Sequence, residues 1–142
     1  MWEAVRLARE AGGINEVPVG AVVTVRGEVV GRGANAPIAR NDPTAHAEIL
    51  ALRDAAARLG NYRLEDATLY CTLEPCIMCA GATVAARIRR LVFGARDLRF
   101  GGVRSKFRLA DSAILSHSVE VVEGILAPEC VMLLQEFFEA RR

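Results

Sequence analysis

The sequence predicts one α/β domain, residues 1–142, whose mixed five-stranded sheet is covered by helices on both faces. The length of 142 residues suits a single domain, and 52% hydrophobic with 25% charged residues suits a globular core. Strand-like and helix-like segments alternate along the chain, which favours a largely parallel sheet. An early hairpin makes that sheet mixed.

The first predicted elements are a helix and a β-hairpin. Residues 3–11 form the predicted helix, because a glycine pair follows them directly. The valine-rich segment 17–25 and the segment 28–34 are extended and flank the turn Arg26-Gly27. This arrangement is typical of two antiparallel strands joined by a short turn.

A polar loop and a long helix follow the hairpin. Residues 35–44 are rich in Asn, Pro and Asp, which predicts an irregular loop. Apolar residues recur at helical spacing over 45–59, and a glycine follows the segment. Asp42 or Thr44 is the expected cap of this helix.

The second half of the chain continues the alternation of strands and helices. Pro75 suits the first turn of a helix, because its missing N–H would have no partner there. The predicted elements are a strand over 67–73, a helix over 76–87, a strand over 90–94, a short helix near 105–110, a strand over 118–122 and a terminal helix over 127–141.

The N-terminal sequence and the charge distribution indicate the surroundings of the protein. The start of the chain is charged, and no run of about 18 apolar residues is present, so we expect a cytoplasmic protein. The net charge is +1, yet residues 87–108 hold eight basic side chains and one acidic one. This stretch is compatible with a nucleic-acid partner and equally with a solvated turn region.

Two of the four cysteines form a C-x-x-C pair, Cys76 and Cys79. In a chain without an export signal, such a pair indicates metal or redox chemistry rather than a structural disulfide. Cys71 and Cys130 are isolated, and we expect them to be buried as small apolar residues.

Two short motifs carry the residues suited to metal chemistry. His46-Ala-Glu48 and Pro75-Cys76-Ile-Met-Cys79 each stand where a predicted helix begins. The positive end of a helix favours thiolate over thiol, so both cysteines are placed to be deprotonated ligands. With the imidazole they make three ligands for zinc, and the fourth tetrahedral position is left for water, as in catalytic sites.

Glu48 is the candidate base beside this metal. Two thiolates cancel the charge of the ion, so a nearby carboxylate would assist ionisation of the water. Residues two apart lie on nearly opposite sides of a regular helix. His46 and Glu48 can therefore share a site only if His46 stands at the very start of its helix. Glu74 stands beside the segment that carries the two cysteine ligands. We expect it to pair with an arginine or to hold the backbone of this loop.

Other interpretations of these motifs stay open. A lone C-x-x-C pair is also typical of thiol redox proteins, which would hold no zinc. A noncatalytic zinc module that binds RNA would use the same ligands without turnover. A deaminase of free bases or nucleosides, of guanine or cytosine type, would carry the same metal site, with His46, Cys76 and Cys79 as ligands. The order H-x-E followed by P-C-x-x-C is the signature of zinc-dependent nucleobase deaminases.

Further segments extend the pattern beyond the metal motifs: 16–21, 42–49, 61–64, 66–70, 72–82, 92–97 and 123–127. With them the chain resembles the bacterial tRNA-specific adenosine deaminases from about residue 2 to its C-terminus. The metal motifs are shared by all cytidine-deaminase-like enzymes, whereas 16–21, 61–64 and 92–97 point more narrowly to the tRNA enzymes. The segment 98–107 departs from the Gly-Ala-x-Gly-Ser pattern that is usual in that family.

The resemblance implies a three-layer α/β/α sandwich around a five-stranded mixed sheet, of the cytidine-deaminase-like type. It implies conversion of adenosine to inosine at the wobble position of a tRNA anticodon stem-loop by a homodimer with one Zn²⁺ per subunit. The implied site residues are His46, Cys76 and Cys79 on the metal, Glu48 as the catalytic residue, Asn35 on the flipped base, the backbone of Ala47 on its ring, Val17 and Leu73 lining the pocket, and Asp97 near the target ribose.

The expected reaction is hydrolytic. A zinc-activated hydroxide attacks C6 of adenine, or C4 of cytosine, while Glu48 moves protons from the water to the ring nitrogen and to the departing ammonia. The target base must first leave its stack, and this costs less in a single-stranded anticodon loop than in a duplex.

Overall fold

The computed structural model describes all 142 residues and contains ten regular elements. None of its helices combines the length and the hydropathy that a membrane crossing requires. The strands are β1 (Gly20–Val25), β2 (Glu28–Ala34), β3 (Ala67–Leu73), β4 (Arg90–Ala95) and β5 (Glu120–Glu123). The helices are α1 (Trp2–Gly13), α2 (Pro37–Arg40), α3 (Ala47–Leu59), α4 (Ile77–Ala85) and α5 (Ala127–Glu139).

The five strands form one mixed sheet in the order β2-β1-β3-β4-β5. β1 pairs antiparallel with β2 and with β3, whereas β3–β4 and β4–β5 are parallel. The predicted hairpin is confirmed, and Arg26 and Gly27 both adopt positive φ in its turn. The expectation of a largely parallel sheet is correct for two of the four pairings. Strand β3 ends at Leu73, and the chain leads from there directly into the C-x-x-C segment.

Helices cover both faces of the sheet and give the predicted three-layer arrangement. Ala21 and Val23 of β1 belong to the main core of 18 buried residues, which also contains residues of α3 and α4. Val22, on the opposite face, packs with Ala4 and Leu7 of α1. α5 packs on the same face as α1. The fold is therefore the three-layer α/β/α sandwich around a five-stranded mixed sheet that the sequence predicts.

Two glycines of β2 allow α3 to lie directly against the sheet. A Cβ at Gly33 would stand 2.1 Å from the carbonyl oxygen of Ala47, and one at Gly31 would stand 2.4 Å from that of Ala51. Neither clash could be relieved by moving a flexible side chain, because both partners are backbone atoms. Since Ala47 begins α3, this contact sets the position of the helix start relative to the sheet.

Two predictions about local structure are wrong. No helix forms at 105–110, because the backbone N–H of Leu109 donates to the carbonyl oxygen of Gly102 instead of to that of Ser105, one helical turn earlier. Asp42 and Thr44 do not cap α3, whose N-cap is His46. The Asp42 carboxylate instead accepts hydrogen bonds from the backbone N–H and the hydroxyl of Thr44. The loop 35–44 also contains the short helix α2, which was not predicted.

Candidate active site

His46 and Cys76 occupy equivalent positions at the starts of two helices. Each is the N-cap residue of its helix, α3 or α4, and each has extended backbone with φ near −70° (−72° and −71°). Neither side chain makes a capping hydrogen bond, so both are available for other partners. Because His46 precedes the first helical residue, its imidazole and the side chain of Glu48 can turn towards the same site. The geometric condition set by the sequence is met.

The three predicted donor atoms lie at the spacing that a tetrahedral zinc ion requires. Nδ1 of His46 is 3.6 Å from the Sγ atom of Cys76 and 3.6 Å from that of Cys79. All three donors lie within 4.8 Å of one another. Zinc bonds of about 2.3 Å to sulfur and about 2.0–2.1 Å to nitrogen, at tetrahedral angles, separate N and S by about 3.6 Å. The donor set and its geometry therefore fit zinc.

The two thiols differ in acidity in the absence of a cation. Hydrogen bonds from the Cys79 thiol and from His46 lower the pKa of Cys76 to about 4, against the opposing effect of burial. The hydrogen bond to Cys76, together with burial, raises the pKa of Cys79 far above its ordinary value. A thiolate at Cys76 therefore opposes ionisation of Cys79, and a divalent cation bound between them would favour both thiolates.

Glu48 presents an unused oxygen to this site. Its side chain is 4% exposed, and its Oε1 atom has no hydrogen-bond partner. Burial raises the pKa of the carboxyl, so the group holds a proton more readily than an exposed glutamate. A buried acceptor without a partner costs about 1–3 kcal/mol, and such atoms in native structures call for an explanation. A group bound at the site would supply the missing partner.

Four of the residues implied for substrate binding lie near the ends of strands or helices. Asn35 follows β2, and its Nδ2 donates to the carbonyl oxygen of Val17 at 3.3 Å. Val17 and Leu73 are partly buried and pack against the main core. Ala47 is fully buried as the first residue of α3. These positions derive from four separate segments that meet at one end of the sheet: before β1, after β2, at the start of α3 and at the end of β3.

Asp97 shapes the turn in which it lies. One carboxylate oxygen, Oδ1, accepts the backbone N–H groups of Arg99 and Phe100, both at 3.1 Å. Its backbone N–H donates to Glu74 Oε1 at 3.1 Å. The side chain is therefore half engaged in its own loop, with Oδ2 left available.

Glu74 has a larger structural role than its sequence position indicates. The residue is 2% exposed and accepts five hydrogen bonds from one loop. Burial opposes its ionisation, but these donors outweigh burial and lower the pKa of the carboxyl. The expected pairing with an arginine is absent, whereas the expected contact with loop backbone is present. The loop it holds runs from 97 to 105, and periodicity gave no signal for this contact.

The basic stretch is partly neutralised in the fold. Four of its eight basic side chains pair with acidic residues: Arg90 with Glu120, Arg96 with Glu123, and Arg104 and Arg108 with Asp111. Arg99 and Lys106 are exposed and have no ion-pair partner.

No other thiol or imidazole joins the three donors. Cys71 and Cys130 are 0% and 1% exposed, which confirms that they are buried small residues. The second histidine, His117, is partly buried, and its Nε2 lies 2.7 Å from the carbonyl oxygen of Ile88.

Comparison with known proteins agrees with this geometry. Residues 1–95 match the family of the cytidine and deoxycytidylate deaminase zinc-binding region. A tRNA-specific adenosine deaminase of Haemophilus influenzae is 50% identical over the whole of this chain and 83% of its own length.

Solved structures share the fold. One, from a study of A-to-I editing by tRNA:A34 deaminases at the wobble position of transfer RNA, has a TM-score of 0.89 and 45% identity, covering 92% of this chain and 95% of its own. The guanine deaminase of Nitrosomonas europaea has a TM-score of 0.84 at 27% identity, covering 96% of this chain and 81% of its own. The chain therefore belongs to the zinc-dependent cytidine and deoxycytidylate deaminase family and is related within it to the tRNA-specific adenosine deaminases.

Proposed function

We propose that this protein converts adenosine to inosine at the wobble position of a tRNA anticodon by zinc-dependent hydrolysis. The observation that carries the chemistry is the set of three donors at tetrahedral spacing beside a buried, unpartnered carboxylate oxygen. The relatives named tRNA-specific adenosine deaminase, which align with the whole chain, support the choice of substrate.

The metal ligands in this proposal are Nδ1 of His46 and the Sγ atoms of Cys76 and Cys79. Zinc, when bound, supplies Lewis-acid activation of a water molecule. His46 and Cys76 stand at helix starts, where backbone N–H groups lack intrahelical partners, and a set of three protein ligands would leave the fourth position of a bound zinc for water.

Glu48 is the proton carrier. Its Oε1 accepts a proton from the attacking water, and its raised pKa allows the carboxyl to retain that proton. The carboxyl passes the proton to the ring nitrogen next to C6. It takes the second proton of the water in the same way and delivers it to the departing amino group. Oxygen from water thus replaces nitrogen at C6, and ammonia leaves without any change of oxidation state.

The substrate side is formed by Asn35, Ala47, Val17, Leu73 and Asp97. The Nδ2 of Asn35 is engaged by Val17, which leaves Oδ1 to accept a hydrogen bond from the flipped base. Ala47 offers a backbone N–H at a helix start, where intrahelical partners are missing. Val17 and Leu73 contribute apolar surface to the base. The second carboxylate oxygen of Asp97 is available for a ribose hydroxyl.

The proposed assembly is a cytoplasmic homodimer of single-domain subunits that binds an anticodon stem-loop. Large apolar side chains support a subunit interface beside the site, since Ile77 and Leu98 are 51% and 71% exposed. Light scattering coupled to size-exclusion chromatography would report twice the chain mass, whereas a monomer at micromolar concentration contradicts the dimer.

A deaminase of free bases is the second candidate. The guanine deaminase of Nitrosomonas europaea shares the fold at 27% identity, and a common metal site does not distinguish the two substrates. The distinction lies in whether phosphate contacts are needed.

The test compares ammonia release from an anticodon stem-loop, free adenosine, free guanine and cytidine. We expect turnover of the stem-loop alone, with an affinity that falls steeply as salt rises, because bound phosphates release counterions. Faster turnover of free guanine or cytidine, independent of salt, would instead establish the second candidate.

A further inference from the structure

Glu74 connects two parts of the site that are distant in sequence. Along the chain it stands two residues before Cys76, at the end of β3. Through space its carboxylate receives hydrogen bonds from the loop 97–105. All five hydrogen bonds that the carboxylate accepts come from this loop, and the backbone of Glu74 leads directly into the metal motif.

We propose that Glu74 is a positioning residue, whose buried carboxylate fixes the loop 97–105 against the helix that carries the metal ligands. The effect of Glu74 on substrate binding rests on the proposed function, whereas its effect on the position of the loop does not. Glu74 itself touches neither the metal donors nor the reacting atoms.

The hydrogen-bond geometry requires an ionised carboxylate. Oε2 accepts the backbone N–H groups of Val103, Arg104 and Ser105 at 3.1, 2.7 and 2.9 Å. Oε1 accepts the backbone N–H of Asp97 at 3.1 Å and the hydroxyl of Ser105 at 2.5 Å. All five partners are donors, and only a group that is acceptor-only at both oxygens satisfies them. A glutamine would turn an NH₂ group towards at least one N–H.

The loop is also fitted around this carboxylate. A Cβ at Gly101 would stand 2.4 Å from the Glu74 carboxyl carbon, so only glycine leaves room for it. Gly101 forms a β-bridge with Cys76, and the N–H of Gly102 donates to the Pro75 carbonyl at 2.8 Å. The position of the loop is therefore tied to the backbone that presents the first cysteine.

The side chains that this loop presents suit a single-stranded RNA. Arg99 and Lys106 are exposed cations without ion-pair partners, and Phe100 is 64% exposed with the Arg99 guanidinium 5.7 Å from its ring centre. Cations bind phosphates, and an exposed aromatic ring stacks on an unpaired base. Fixing their carrier loop would set the distance from the bound phosphates to the metal centre.

Limited trypsin digestion of the zinc-loaded protein tests the position of the loop directly, because Arg99, Arg104 and Lys106 are cleavage sites within or next to it. We expect Glu74→Gln to speed cleavage there by roughly tenfold, as hydrogen bonds to a charged group are worth about that factor in local opening. The matched control is Thr72→Val on β3, the strand that ends just before Glu74. This substitution removes a buried hydroxyl that accepts the Gly20 N–H, and it leaves the loop untouched.

A second variant keeps the test valid if Glu74→Gln fails to fold. Gly101→Ala leaves the carboxylate in place but fills the space beside it, and should also speed cleavage. The inference would be overturned if whichever of Glu74→Gln and Gly101→Ala folds were cleaved at the wild-type rate. It would also be overturned if Thr72→Val sped cleavage equally.

Steady-state kinetics separate positioning from a general structural role. For the anticodon stem-loop we expect KM to rise roughly tenfold in Glu74→Gln, with zinc content unchanged and kcat within about twofold. A loss confined to kcat, or loss of zinc, contradicts the inference. If the wild-type protein forms no inosine, the proposed function fails, and the digestion result still decides the position of the loop.

Discussion

The metal end of the site and the loop 97–105 beside it are organised differently. At the metal end, each motif begins a helix, and the N-cap conformation of His46 or Cys76 directs its side chain to the site. The loop has no regular structure, and a single carboxylate 23 to 31 residues earlier in the chain accepts its backbone N–H groups. The metal ligands are thus encoded in short motifs, whereas the position of the loop depends on tertiary hydrogen bonds.

This difference predicts two kinds of mutant phenotype. Changes at the metal end should abolish turnover or zinc binding. Changes in or around the loop should weaken RNA binding while the metal centre stays intact. The four variants below test this division, beginning with the largest expected effect.

Removing one metal ligand should abolish activity. In Cys79→Ala we expect loss of zinc, measured by elemental mass spectrometry, and a fall in turnover of roughly a thousandfold or more, because metal activation contributes several kcal/mol. The control is Cys71→Ala, a buried cysteine outside the donor set, which should keep its zinc. Zinc bound at full stoichiometry in Cys79→Ala would argue against this ligand assignment.

Removing the proton carrier should separate metal binding from turnover. Glu48→Gln should retain zinc and melt no lower than the wild type, since it replaces a buried, unpartnered carboxylate. Its kcat should fall by about 10²–10⁴-fold. The matched control is Glu65→Gln, because Glu65 is exposed. We expect its kcat to be unchanged. Undiminished turnover in Glu48→Gln would exclude the carboxyl as the proton carrier.

Shortening the Asn35 side chain tests the proposed substrate side, and its expected effect is smaller than that of Glu48→Gln. Asn35→Ala should raise KM for the stem-loop by about tenfold, because one hydrogen bond to the base is lost, worth about 1 kcal/mol or slightly more. Zinc content should not change. An unaltered KM would remove Asn35 from the base-binding residues.

The smallest effect is expected for single cations within or next to the loop. Lys106→Ala should weaken stem-loop binding a few-fold and reduce the slope of log K against log salt by about 1, the value for one phosphate contact. The comparison is Arg90→Ala, whose guanidinium is paired with Glu120 at 3.1 Å. Equal slopes in Lys106→Ala and the wild type would mean that this cation contacts no phosphate.

Much of the fold was predictable because apolar periodicity follows burial. The repeat over 45–59 predicted α3 to within two residues of its observed start at Ala47. The donors His46, Cys76 and Cys79 were predictable because their residue types and their positions at helix starts already imply metal chemistry.

The errors arose where hydrogen bonds outside the local pattern determine the backbone conformation. The predicted helix at 105–110 is absent because the N–H of Leu109 donates to the carbonyl oxygen of Gly102 and not to that of Ser105. Asp42 was a reasonable cap by residue type, but its carboxylate is engaged by Thr44. Such contacts join residues by tertiary geometry or by local side-chain conformation, which periodicity does not report.

The central claim is that the zinc site acts on adenosine in a tRNA anticodon. The most direct measurement is mass spectrometry of nucleosides from tRNA incubated with the zinc-loaded protein, with Glu48→Gln in parallel. We predict inosine in place of adenosine at the wobble position with the wild-type protein and none with the variant. Zinc-loaded wild-type protein that forms no inosine, or that forms it equally in the Glu48→Gln sample, would contradict the account.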